Sequence, residues 1–162
     1  MTGHSITLTA IGRVASSREQ PDDDDWDLVK ATIHLDSGQV HPDSTAGLDG
    51  FTHIEVIYRF HAADCTKTER GSRHPRDRAD WPRVGILAQR AKDRPNHLGV
   101  TICRLVAVNG LDLEVTGLDA IDGSPVLDVK PVMAEFLPRG ELRQPGWSSE
   151  LMRDYWRRTR GC

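Results

Sequence analysis

Two stretches carry residue types able to do chemistry. Arg90 and Arg94 flank a loop that closes with Pro95-Asn96-His97-Leu98-Gly99. A second stretch opens at Thr116-Gly117-Leu118-Asp119, turns at Asp122-Gly123-Ser124-Pro125 and runs on to Asp128, Lys130 and Pro131. Pro95 fixes φ, Asn96 tolerates left-handed backbone, and Gly99 lets the chain pass close to a neighbour. Exposed backbone N–H and C=O groups at Thr116-Gly117-Leu118-Asp119, where a strand ends, suit an adenine edge, and Asp119 suits ribose hydroxyls. Polar, turn-fixed loops on a rigid scaffold are where chemistry concentrates. The plainer alternative makes residues 122–125 only a turn, and Asp128 and Lys130 only a surface pair.

Other chemistries find no support. Nothing matches paired zinc-ligand spacing; His53, His61, Cys65 and His74 are too loosely arranged, and no metal is expected. There is no G-x-S-x-G elbow, no P-loop and no G-x-G-x-x-G opening a helix after a strand. Cys65, Cys103 and Cys162 are odd in number and widely spaced, which argues against a disulfide framework. Cys103 reads as a core residue and Cys162 as an exposed terminus.

The elements that must position the two loops are mostly strands. Val29, Ala31, Ile33 and Leu35 share one face of a strand at Leu28–Asp36, and Ile54, Val56, Tyr58 and Phe60 share one face at Phe51–Phe60. Further strands are expected at Ser5–Val14, Val84–Gln89 and Val126–Val129. Leu98–Val108 and Leu111–Leu118 form a hairpin around Asn109-Gly110, the preferred pair for a type I′ turn, with Val100, Ile102, Val106 and Val108 alternating. Asp22 to Asp25 reads as an exposed, self-repelling loop. Residues 61–82 form a polar connection longer than about 15 residues, a length that is usually functional or disordered. Ser149 is placed to cap a helix from Glu150 to about Arg158, with Leu151, Met152, Tyr155 and Trp156 on one face. The fold class is mainly β: a small antiparallel β-barrel of about six or seven strands with a C-terminal helix. Its expected division is a barrel domain over 5–146 and a packed helix and tail over 147–162.

The 162 residues fit one domain, and 38% apolar with 28% charged residues fits a globular chain. No apolar run is long enough to span a bilayer and the N-terminus lacks signal-peptide character, so a cytoplasmic protein without membrane association is expected. Between Lys67 and Arg94, nine Lys/Arg stand against four acids, a net +5; with −3 overall, the remainder carries −8. Such asymmetry points to one face for an anion, the competing reading being a solvated loop.

The run Gly85-Ile86-Leu87-Ala88-Gln89-Arg90-Ala91-Lys92-Asp93-Arg94-Pro95-Asn96-His97-Leu98-Gly99, then Gly117-Leu118-Asp119-Ala120-Ile121-Asp122-Gly123-Ser124-Pro125-Val126-Leu127-Asp128-Val129-Lys130-Pro131, resembles the TsaA-like family. Ile11-Gly12-Arg13-Val14 and Gly47-Leu48-Asp49-Gly50-Phe51-Thr52-His53 match two further family motifs in the same order. The resemblance covers about Ile11 to Phe136. It implies a β-barrel that binds S-adenosylmethionine, usually as a homodimer, and methylates N6 of threonylcarbamoyladenosine in tRNA next to the anticodon. Cofactor contacts would fall on Trp26, Asp27 and Leu28, on His61 and Ala62, on Arg90, on Val100 through its backbone, and on Thr116, Gly117, Leu118 and Asp119. Arg90 would take the methionine carboxylate. Arg94, Asn96 and Lys130 would bind substrate, the basic segment would hold tRNA phosphates, and His61 or Asp128 would be the general base.

Departures from the family pattern stand at Gln89, Ala91, Lys92, His97 and Val132, near the expected substrate side. The chain also ends soon after the barrel, whereas the bacterial tRNA enzyme of the family has an additional C-terminal domain. Two other readings stay open: a methyltransferase acting on a small molecule, and a non-catalytic S-adenosylmethionine-binding module.

Overall fold

The computed structural model describes residues 3–157. Six antiparallel strands close into a barrel in the order β1 (Gly12–Ser16), β2 (Lys30–Leu35), β7 (Asp112–Thr116), β6 (Leu98–Asn109), β3 (His53–Arg59) and β8 (Pro125–Pro131), with β8 returning to β1. Two short strands, β4 (Ser72–Arg73) and β5 (Val84–Gly85), pair outside it. Closure leaves the barrel without a free edge, and the single α-helix among the described residues, α1 (Gly146–Leu151), follows it in sequence.

The alternation read in β2 and β3 fixes which side chains fill the barrel. Ala31 and Ile33 are buried, as are Ile54, Val56 and Tyr58, while His53, Glu55, Ile57 and Arg59 lie on the opposite face. β6 runs the other way from its apolar pattern. Gly99, Thr101, Cys103 and Leu105 face inward, and Ile102 and Val106 are 45% and 56% exposed. The register between β6 and β7 slips between Leu105 and Ala107, so a bulge at Val106 exchanges the faces. Val108 beyond it packs on the core.

The hairpin turn also differs from expectation. Asn109 pairs with Asp112, which leaves Gly110-Leu111 as the two-residue loop. Only Gly110 takes positive φ, +63°, so the turn has type II′ rather than type I′ character. The strand expected at Ser5–Val14 begins instead at Gly12; Ile6 and Leu8 are exposed and have no core to face. The strand expected at Val84–Gln89 is cut to two residues, because Ile86–Ala88 turns as a 3-10 helix and buries Ile86.

The long connection is tied to the segment that follows it, through the β4–β5 pair and the Ile86 amide, which donates to the Gly71 carbonyl at 2.9 Å. Pro75, Trp81 and Ile86 are buried, and Gln89 Nε2 donates to the carbonyls of Arg73 and Val84 at 3.0 and 3.1 Å. The acidic loop is ordered too. Its repulsion is offset by Arg76, which contacts Asp23 and Asp24, and by Arg157, which donates to Asp25.

The C-terminal helix starts at Gly146, before Ser149, and stops at Leu151. Residues 152–156 turn instead of continuing it, and Asp25 and Trp26 amides donate to the carbonyls of Asp154 and Tyr155 at 3.1 and 2.9 Å. These tertiary bonds replace the helical ladder that the apolar spacing suggested. Arg158, the expected helix end, and Cys162 lie outside the described residues.

Candidate functional site

Asp119 organises one end of the barrel. β7 pairs Thr116 with Arg104 of β6, and three residues further on Asp119 meets Thr101, three residues back along β6. Its carboxylate accepts hydrogen bonds from three hydroxyls. Tyr58 donates to Oδ1 at 2.9 Å and to the Asp119 carbonyl at 3.0 Å, Thr101 donates to Oδ1, and Tyr155 donates to Oδ2. Oδ1 is therefore saturated from inside the barrel, while Oδ2 keeps a lone pair. Burial, reinforced by the Asp119 charge, pushes both tyrosine hydroxyls well above the ordinary phenol range, so both remain donors.

Gly99 owes its place to Tyr58. The two are cross-strand partners, and a Cβ on Gly99 would lie 2.5 Å from Tyr58 Cζ. The close approach expected at Gly99 is thus to a barrel ring. Asn96 takes the left-handed backbone expected of it, φ +67°, and His97 follows at +52°. His97 is buried, with Nε2 3.0 Å from Thr68 Oγ1. Gln89 and His97, two of the departures from the family pattern, therefore pack the long connection rather than face a substrate.

The expected cofactor residues fall into distinct groups. Asp27, Leu28, Thr116 and Gly117, from two segments about ninety residues apart, line one open cleft on the barrel wall. Gly117 explains the junction: its φ is +76°, its amide donates to the Val29 carbonyl at 3.1 Å, and a Cβ there would sit 3.4 Å from the Asp27 carbonyl. Arg90 is exposed and donates to the Val100 carbonyl, which ties these two residues together beside the Asp119 cluster. His61 and Ala62 are exposed in the turn after β3; His61 Nε2 would lie 3.5 Å from a Cβ on Gly123.

Trp26 and Leu118 do not present side chains to a ligand. Trp26 is 2% exposed, donates Nε1 to the Asp22 carbonyl and lies under the Arg18 guanidinium; Leu118 is wholly buried in the core. Only their backbones are available.

Of the expected substrate and base residues, Asn96 and Lys130 are exposed and Arg94 is half-buried, donating to the Gln89 carbonyl at 2.8 Å. Asp128 stands opposite Ile57 on the outer barrel wall, where it accepts from the Val129 amide at 2.9 Å and pairs with Lys130. Sequence reasoning missed Thr101 and Tyr155 as partners of Asp119, and His53, Arg104 and Trp156 as cleft residues. The inward alternation of Tyr58 was the one visible signal for the cluster.

The basic segment is largely engaged internally. Lys67, Arg73, Arg76 and Arg78 pair with carboxylates, and Arg83, Arg90 and Arg94 donate to neutral oxygens. Among the described residues no ion pair or hydrogen bond engages the side chains of Arg70 and Lys92.

The structure is a closed antiparallel barrel with one carboxylate, Asp119, held by three hydroxyls, and a cleft whose junction Gly117 fixes. The model of the tRNA-methyltransferase O N-terminal domain family matches residues 16–136, and the chain belongs to that family. A protein of Pyrococcus abyssi named as a probable S-adenosyl-L-methionine-binding protein is 34% identical over 145 residues, covering 88% of this chain and 76% of the relative. The human tRNA (adenine(37)-N6)-methyltransferase is 33% identical over 102 residues, and the Escherichia coli enzyme of the same name 32% over 124. These matches cover 63% and 68% of this chain but only 23% and 51% of those relatives. The crystal structure of TrmO from Pseudomonas aeruginosa superposes with a TM-score of 0.70 at 25% identity, over 86% of this chain and 61% of that one.

Proposed function

We propose that the chain is an S-adenosylmethionine-dependent methyltransferase acting on a tRNA adenosine, at N6 of threonylcarbamoyladenosine beside the anticodon. The observation that carries this reading is the cleft in which Asp27 and Leu28 meet Thr116 and Gly117, two residues before Asp119 in the chain. Family membership and the printed names of the relatives supply the reaction class.

In this reading the backbone edges at Thr116 to Leu118 bind the adenine and Asp119 Oδ2 accepts a ribose hydroxyl. Arg90 spends one Nη2 donor on the Val100 carbonyl and would offer its remaining N–H groups to the methionine carboxylate. When bound, the cofactor would supply an electrophilic methyl group for transfer to the acceptor nitrogen. The chain's contribution is positioning, together with a group to receive the N6 proton. His61 is the better-placed base. Its ring carries no hydrogen bond among the described residues, whereas Asp128 is occupied by Lys130 and the Val129 amide. Asn96, Arg94 and Lys130, with the cations not spent on carboxylates, would face the RNA.

We further propose that the protein works in the cytoplasm, where tRNA is its substrate, and pairs as a homodimer. No helix among the described residues is long and apolar enough to cross a membrane. Leu98, Ile102 and Val106 form an outward apolar strip on β6 that a second copy would cover.

The test is transfer of a labelled methyl group from S-adenosylmethionine to total tRNA, read by mass spectrometry of the released nucleosides. Label on the threonylcarbamoyl nucleoside is expected. Unlabelled tRNA, with label instead in a small-molecule extract, would contradict the RNA substrate.

A further inference from the structure

Residues after Phe136 lie beyond the segment that the family model matches, yet Glu150, Asp154, Tyr155 and Arg157 are bonded back onto the barrel and its loops. Five contacts anchor this strap among the described residues. Trp81 Nε1 donates to Glu150 Oε2 at 2.9 Å. The Asp25 and Trp26 amides donate to the Asp154 and Tyr155 carbonyls, and Arg157 Nε donates to Asp25 Oδ1 at 2.8 Å. The Tyr155 hydroxyl reaches Asp119 Oδ2.

Trp156 sits between the last two anchors, so its backbone is fixed on both sides. Its ring meets the Tyr155 ring edge-on, with centroids 4.9 Å apart and planes at 77°. It is 39% exposed and lines the cleft together with Asp27, Leu28, Thr116 and Gly117. A large indole left open on a Gly-floored cleft is a poor choice for solubility and a good one for stacking, since any base presents a π-face. Because the anchors hold the ring in place before binding, little ordering cost falls on the ligand.

We propose that the C-terminal strap completes the cofactor site, with Trp156 as the wall on which the adenine ring of S-adenosylmethionine stacks and Tyr155 as a positioning residue that holds Asp119. The inference rests on the cofactor reading above. Stacking on the indole acts on the adenine, so it does not depend on whether the sulfur is charged.

Calorimetric titration with S-adenosylmethionine and with S-adenosylhomocysteine tests it, using Trp156→Ala and Trp156→Phe alongside wild type. Trp156→Ala should weaken both ligands by about tenfold, and Trp156→Phe by less than about threefold. Unchanged thermal melting of both variants is expected, because the ring lies outside the barrel core. Weakening confined to the sulfonium ligand would overturn the adenine assignment, because the contact would then be to the cation. Unchanged binding by Trp156→Ala would overturn the strap proposal alone. Wild-type protein that binds neither ligand would overturn this inference and the cofactor reading together.

Discussion

The Tyr58 ring occupies the space that a side chain at Gly99 would need, and its hydroxyl reaches from there to Asp119. Strand register makes the two residues partners, and the missing Cβ is what allows a buried tyrosine to lie flat against β6. Gly99→Ala should therefore destabilise the fold by about 2 kcal/mol, the usual cost of overpacking a rigid site. Urea unfolding measures it; a loss below about 0.5 kcal/mol would mean that the ring has another place to go.

Tyr58→Phe removes a donor to a half-buried carboxylate while keeping the ring. A hydrogen bond to a charged acceptor of this kind is worth about 1.5–3 kcal/mol, so a destabilisation of that size is expected in the same unfolding assay. Because Thr101 and Tyr155 remain on Asp119, the barrel should stay folded.

The chain has two tyrosines, Tyr58 and Tyr155, and burial beside Asp119 raises both above the ordinary value of 10.0. The folded protein should show no tyrosinate absorbance as pH passes 10, whereas the urea-unfolded chain should titrate there. The sign follows from linkage. The stabilisation is fully present below pH 10 and falls as pH rises above it, because the unfolded chain then releases protons that the folded chain retains. Tyrosinate appearing near pH 10 in the folded protein would contradict the cluster.

Burial, with a smaller contribution from Asp119, pushes the Cys103 thiol up to about 12, whereas Cys65 is exposed. At mildly alkaline pH, iodoacetamide should label Cys65 in the folded protein and reach Cys103 only after unfolding. Peptide mass mapping reads both positions.

Within the basic segment, Arg70 and Lys92 make no ion pair or hydrogen bond among the described residues, so under the proposed tRNA reading they are the segment's cations left to meet phosphates. The double variant Arg70→Ala, Lys92→Ala should weaken tRNA binding and reduce the slope of log K against log salt by about 2. An unchanged slope would place the RNA on another face.

Legibility in the sequence followed how local each determinant is. Strands β2 and β3 show plain period-2 patterns, and their inward faces were readable from Ile33, Ile54 and Val56. β6 was not, because its inward residues near the site are Gly99 and Thr101, chosen to accommodate Tyr58 and Asp119 rather than for hydrophobicity. The bulge at Val106 then hid the change of face. The left-handed Asn96 and Gly117 could be anticipated from residue type alone. Tyr155 could not be placed: its helical spacing with Leu151 is local, while its bonds to Asp119 and to the Trp26 amide join segments far apart in the chain.

The most direct measurement of the central claim is a crystal structure of the protein with S-adenosylhomocysteine. The account predicts the ligand in the cleft between Asp27 and Gly117, with a ribose hydroxyl on Asp119 and the carboxylate toward Arg90. Ligand lodged at another surface, with Asp27, Gly117 and Asp119 untouched, would contradict it.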